Sequence, residues 1–118
     1  MQIKSKNCRV DICKEKAMLT VRLSGEIDHH SAVIVRSEID GMIAEHRPER
    51  LVLDLSGIDF MDSSGIGLIM GRYARMKAVG GELVVQRPNE RIRRIFEMAG
   101  LERIVRIEQK KEEEKHEA

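Results

Sequence analysis

Aromatic side chains are nearly missing from this sequence: 3% of its 118 residues, with one Tyr, two Phe and no Trp. That argues against base stacking on aromatic platforms as the working principle. Net charge is also missing. Twenty-one Lys and Arg against 20 Asp and Glu leave +1, which offers no global attraction to nucleic acid or to an anionic membrane. No apolar run approaches the ~20 residues that span a bilayer. The start, Met1-Gln2-Ile3-Lys4, lacks the apolar stretch of a signal peptide. The expectation is therefore no nucleic-acid partner, no membrane insertion and a cytoplasmic location. Cys8 and Cys13 are the only cysteines. Five apart on a strand, they point to opposite faces, so reduced thiols are expected rather than a disulfide or a metal site.

What is present reads as one soluble globular domain, with 42% hydrophobic and 35% charged residues. Residues Lys6 to Ile12 and Ala17 to Ser24 alternate as two strands, joined by the hairpin link Lys14-Glu15-Lys16. Leu19, Val21 and Leu23 share one face. Gly25-Glu26-Ile27-Asp28 breaks the strand, and Asp28 is a good helix cap. Ala32, Val35, Ile39, Met42, Ile43 and His46 follow at helical spacing, and Pro48 marks the stop. A third strand runs from Leu51 to Leu55, with Ser56-Gly57-Ile58-Asp59 as connector. A helix from about Ser64 to Val79 is expected to bury Ile66, Ile69, Met70, Tyr73 and Met76, with Gly80-Gly81 as its cap. Leu83-Val84-Val85 is a further strand. Pro88 suits the first turn of a third helix, whose buried face is Ile92, Ile95, Phe96 and Ala99. Leu101, Ile104, Val105 and Ile107 supply a last short strand or turn. A charged tail, 109–118, follows a domain over 1–108.

The order β-β-α-β-α-β-α implies an α/β fold: a mixed four- to five-stranded sheet with helices packed mainly on one face. Right-handed crossovers bring Gly25 to Asp28, Ser56 to Ser64, and Gln86 to Asn89 to one sheet edge, where open α/β sheets carry their sites.

The most informative stretch at that edge is Asp62-Ser63-Ser64-Gly65-Ile66-Gly67. Two serines and a carboxylate stand where a strand hands over to a helix, a position whose free N–H groups favour negative charge. Capping and a functional hydroxyl are both open readings. Ser64, next to Gly65, is expected to be the cap, which leaves Ser63 as the free hydroxyl. Leu68 lies off the expected inner stripe, and with Ile66 it suggests an exposed protein-docking surface. A small nucleotide-binding or hydrolytic domain using the same edge is the alternative. For hydrolysis, His29 or His30 would have to act as the base. The segment matches neither the Gly-x-Ser-x-Gly elbow nor the dinucleotide fingerprint, and no Walker Lys follows. No catalytic residue, cofactor or metal is expected. Arg91, Arg93 and Arg94 read as a solvated face.

Gly25-Glu26-Ile27-Asp28-His29-His30-Ser31-Ala32 and Phe60-Met61-Asp62-Ser63-Ser64-Gly65-Ile66-Gly67 resemble the STAS family of anti-sigma factor antagonists. Gly71-Arg72-Tyr73 and Gly80-Gly81-Glu82-Leu83-Val84-Val85 add to the likeness, which is strongest to the sporulation branch. The resemblance implies a non-enzymatic switch. Its partners are the anti-sigma F factor, which is also a serine kinase, and a serine phosphatase. The unphosphorylated protein binds the anti-sigma factor and frees sigma F; phosphorylation of Ser63 inactivates it, and the phosphatase restores it. Asp28, Asp62, Ser63, Ser64, Gly65, Ile66, Gly67 and Leu68 are then the partner-binding residues.

Overall fold

The computed structural model describes residues 2–4, as backbone, and 8–109. These form strands β1 (Gln2–Lys4), β2 (Cys8–Glu15), β3 (Met18–Ile27), β4 (Arg50–Met61), β5 (Glu82–Gln86) and β6 (Arg106–Glu108). The helices are α1 (His29–His46), α2 (Ser63–Ala78) and α3 (Glu90–Ala99), with a 3-10 turn over Leu101–Arg103. The strands lie in chain order in one sheet. β1, β2 and β3 pair antiparallel, and β3 through β6 pair parallel. The four long strands are those that the alternation predicts. The apolar patch near residue 107 becomes β6, and the short β1 adds an edge that the pattern did not signal. The tail expected over 109–118 lies, except for Gln109, outside the described residues, as do Lys6 and Asn7 of the first expected strand.

The hairpin between β2 and β3 is tighter than the sequence suggests. Glu15 pairs with Met18, so the loop is Lys16-Ala17, and Lys16 takes a left-handed conformation (φ 55°). Two-residue hairpin loops require such a turn to match the strand twist.

The largest departure from the sequence pattern concerns β3 and β4. Gly25 does not end β3, and the expected connector after Leu55 is strand. The two strands stay paired from Met18↔Arg50 to Ile27↔Met61, with irregularities near Ser24 and Gly25. Gly57 sits where the chains crowd: a Cβ there would lie 2.6 Å from Ser24 Oγ. The glycine allows that close approach, so a residue that reads as a turn signal serves inside a strand.

The core is a single cluster that takes in residues of the sheet and all three helices. Leu19, Val21, Leu23, Leu51, Leu53 and Val85 supply the sheet side. Ala32, Val35, Ile39, Met42 and Ile43 of α1 are buried as their spacing predicts. On α3, Ile92 and Phe96 are buried, while Ala99 is exposed. Pro88 precedes Asn89, the cap of α3, and so stands just outside the helix.

α2 is rotated relative to expectation. Its buried residues are Gly65, Leu68, Ile69, Arg72 and Met76, whereas Ile66, Met70 and Tyr73 are only partly buried. The cause is α1. α2 packs against that neighbouring helix as well as the sheet, and the seam draws residues 68 and 72 inward. Leu68 is 4% exposed, which corrects the expectation of an exposed docking residue.

The sheet face away from the core holds Val52 and Asp54, both buried. Asp54 Oδ1 accepts from Ser56 N (3.0 Å), and Oδ2 accepts from Arg87 Nη2 (3.1 Å). Burial alone would raise the Asp54 pKa. The hydrogen bonds from Ser56 and the nearby Arg87 cation outweigh it and hold the carboxyl below its ordinary value.

Two outcomes follow from this packing. Leu68→Ala removes core volume and should lower unfolding stability in urea by about 2–5 kcal/mol. A loss near zero would place Leu68 at the surface. A depressed carboxylate stabilises the fold above its unfolded pKa of about 3.9 and loses that contribution as pH falls through the lower folded value. The stability gap between the parent and Asp54→Asn should therefore be constant above pH ~5 and shrink progressively below pH ~4. A gap that does not vary with pH would contradict the assignment.

Candidate functional site

The extended pairing of β3 and β4 brings the starts of two helices side by side. After Ile27↔Met61, Asp62 N donates to Ile27 O (3.1 Å). Asp28 and Asp62 are the next residues on each chain, and each is the N-cap of its helix.

Asp28 forms a reciprocal cap on α1. Its Oδ1 accepts from Ser31 N (2.8 Å), and its own N–H donates to Ser31 Oγ (3.0 Å). Ser31 Oγ also donates to Glu26 O (3.1 Å), which locks the strand-to-helix corner. On α2 the cap is Asp62: its Oδ1 accepts from Ser64 N (2.8 Å). The expectation that Ser64 caps the helix is thus corrected. A carboxylate two residues earlier reaches the orphan N–H first, and it also suits the positive end of the helix dipole. Neither serine hydroxyl is needed for capping. Ser63, the first helical residue, is exposed, and its hydroxyl has no hydrogen-bond partner among the described residues. Ser64 is half-buried and faces a shallow groove between α1 and α2.

Of the other expected site residues, Gly65 is buried, and its role is steric. A Cβ there would stand 2.3 Å from Met61 Cγ, so only glycine lets the Met61 side chain lie under the first turn of α2. Ile66 is half-buried and Gly67 exposed. Leu68 lines the floor of the α1–α2 groove with Ala32. Asn89 belongs to the same edge: its Oδ1 accepts from Ile92 N (2.9 Å) to cap α3, and its Nδ2 donates to Ile58 O (3.1 Å). It ties α3 to β4, the strand that leads into Asp62 and Ser63.

Two apolar side chains near this edge escaped the sequence reading. Val33 lines the groove at 44% exposed, and Phe60, two residues before the Asp62 cap, is 43% exposed. Val33 could have been found as an apolar residue off the Ala32, Val35, Ile39 stripe. Phe60 entered the sequence reading only as the first residue of the family-like stretch, and nothing there signalled its exposure. His29 and His30 are exposed at the start of α1, and among the described residues neither bonds to Ser63. Arg91, Arg93 and Arg94 are exposed, with Arg94 3.4 Å from Glu90 one turn away. Among the described residues no group of His, Cys, Asp and Glu is placed to hold a metal ion, and no helix is long and apolar enough to cross a membrane. Cys8 is buried and Cys13 exposed, and neither is in a disulfide. Burial pushes the Cys8 thiol up to about 11, which suppresses its thiolate.

The STAS domain model matches residues 9–114. The anti-sigma F factor antagonist of Paenibacillus polymyxa is 41% identical over 101 residues, covering 86% of each chain. The solved structure of the anti-sigma factor antagonist SpoIIAA in its unphosphorylated form superposes with a TM-score of 0.77 at 29% identity, over 89% of this chain and 90% of that one. The phosphorylated form of the Bacillus cell fate determinant SpoIIAA gives 0.71 at 28% identity, over 92% and 96%. The family is one of regulatory binding proteins. With its mixed sheet, its helices on one face and its Asp-capped helix starts, this chain belongs to the STAS family, among the anti-sigma factor antagonists.

Proposed function

We propose that this protein is a cytoplasmic switch in sporulation that binds the anti-sigma F factor and is controlled at Ser63. The unphosphorylated form binds the anti-sigma factor and releases sigma F. The anti-sigma factor, acting as a serine kinase, transfers a phosphoryl group from ATP to the Ser63 hydroxyl, which ends binding. A serine phosphatase removes it. Asp28, Asp62, Ser63, Ser64, Gly65, Ile66 and Gly67 are the contact region. Leu68 supports that region from beneath.

The observation that carries this reading is the exposed, unpartnered Ser63 hydroxyl at the first position of α2, with the capping task taken by Asp62. A phosphate there adds nearly two negative charges beside the Asp62 carboxylate. The helix start tolerates the phosphate while it faces water. A partner surface that covers the edge would have to bury it, and an unpaired buried charge costs several kcal/mol. At about 1.4 kcal/mol per factor of ten, that is enough to abolish a complex. Support from relatives is of the same kind: SpoIIAA has been solved in both an unphosphorylated and a phosphorylated form.

Ser63→Ala should bind the cognate anti-sigma factor like the parent and accept no phosphate, and Ser63→Asp should weaken binding by about tenfold or more. Equal Kd values for parent and Ser63→Asp in calorimetric titration would remove the switch. A second test uses helical glycines. A Cβ at Gly67 or at Gly41 meets nothing within 4 Å, so alanine at either should stabilise the fold by about 0.5–1 kcal/mol. Gly67→Ala should nevertheless weaken partner binding, and Gly41→Ala should leave it unchanged. Equal affinities for the two variants would place the contact surface elsewhere.

A further inference from the structure

Arg72 is a buried arginine in the third turn of α2. It is 5% exposed, and it sits on the α1–α2 seam one turn beyond Leu68. Its Nε lies 2.8 Å from Asp40 Oδ1 of α1, with side-chain exposures of 6% and 22%. Arg75 Nε approaches the same oxygen at 3.4 Å, and Arg36 of α1 adds a repelling cation. The Arg72–Asp40 contact is close but not aligned as a hydrogen bond, and Arg72 Nη1 is buried without a partner.

Such a pair is a poor stabiliser. Burying the Arg72 guanidinium, and part of the Asp40 carboxylate with it, carries a desolvation cost that offsets their attraction. An apolar pair of similar volume is often as stable or more so. What a charge pair supplies and an apolar contact lacks is a fixed meeting point between two particular residues. Apolar contacts tolerate repacking more readily than a specific ion pair does. Here the meeting point joins the two helices whose first residues form the regulated edge. Ser63 and Arg72 are nine positions apart on one rigid helix, about 13.5 Å along its axis. A small slide or roll of α2 at Arg72 is therefore carried directly to Ser63.

We infer that the Arg72–Asp40 ion pair is a positioning device that sets α2 in register on α1 and thereby holds Ser63 at its place beside the Asp28 cap. Neither residue touches the partner. Arg72 and Asp40 act through the helix start, so that the Ser63 hydroxyl and the Asp28 carboxylate are presented to the anti-sigma factor in one arrangement. This inference rests on the reading of Ser63 as the regulated hydroxyl.

The test is the double variant Arg72→Met with Asp40→Leu, which replaces the charge pair by apolar contact. It should remain folded, with a melting temperature equal to or above that of the parent. In amide NMR spectra the Ser63, Ser64, Gly65 and Ile66 signals should shift, whereas those of β2, far from the seam, should stay. With the cognate anti-sigma kinase and ATP, the KM for the double variant should rise about tenfold, with kcat within about twofold of the parent. If the double variant does not fold, Arg72→Lys, which keeps the charge but not the fork, carries the same expectations in smaller measure. Amide signals at Ser63–Ile66 that superpose on the parent, with an unchanged KM, would overturn the inference. The spectra need no partner. A parent protein that no anti-sigma kinase binds or phosphorylates would thus defeat the functional reading, while the amide shifts alone still decide the positioning role.

Discussion

The parallel pairing of β3 with β4 beyond the end of β5 is the constraint on which the site depends. β5 pairs with β4 only as far as Asp54↔Gln86, while β3 continues to Ile27↔Met61. The two strands therefore project together past β5, and the helices that follow them begin next to each other. Gly57 allows the chains to approach at the irregular step, and Asn89 Nδ2 anchors the projection at Ile58 O. Without that shared extension, Asp28 and Asp62 would cap helices at different heights, and no common surface would form.

The chemistry of the edge follows from which group satisfies the first N–H groups of each helix. At both starts a carboxylate performs the task. Asp28 locks its helix through Ser31, and Asp62 holds its helix through Ser64 N. The result is a rigid edge already rich in acceptors, with neither serine hydroxyl spent on capping and that of Ser63 the more exposed. Adding a phosphate to that hydroxyl changes charge far more than shape. In the switch proposed above, association would be regulated by electrostatics and desolvation, with no need for the domain to refold.

Much of this was legible in the sequence. The Leu19, Val21, Leu23 alternation and the Ala32 to Ile43 spacing were each strong, because one face met the core and the other met water. The common edge followed from the handedness of the crossovers. What the pattern hid has identifiable causes. Gly25 and Gly57 are breakers by local propensity, yet both stand inside the sheet: Gly57 allows the close approach of two strands, and Gly25 takes a positive φ of 100°. Leu68 and Arg72 lay off the stripe expected of a helix resting on a sheet alone; the second contact, to α1, is tertiary and leaves no local period. A buried arginine is also the residue that hydropathy reading assigns to solvent. At the junction, two serines drew attention from the aspartate before them, and only the Asp62–Ser64 hydrogen bond identifies the cap.

The central claim is that the Ser63 hydroxyl of the Asp62-Ser63-Ser64-Gly65 turn stands exposed for modification while Ser64 is half-buried against the α1–α2 groove. Its most direct test is to incubate the protein with the cognate anti-sigma kinase and ATP, and to locate the phosphate by fragmentation mass spectrometry. The account predicts a single phosphate on Ser63. Phosphate on Ser64, or no incorporation at all, would contradict it.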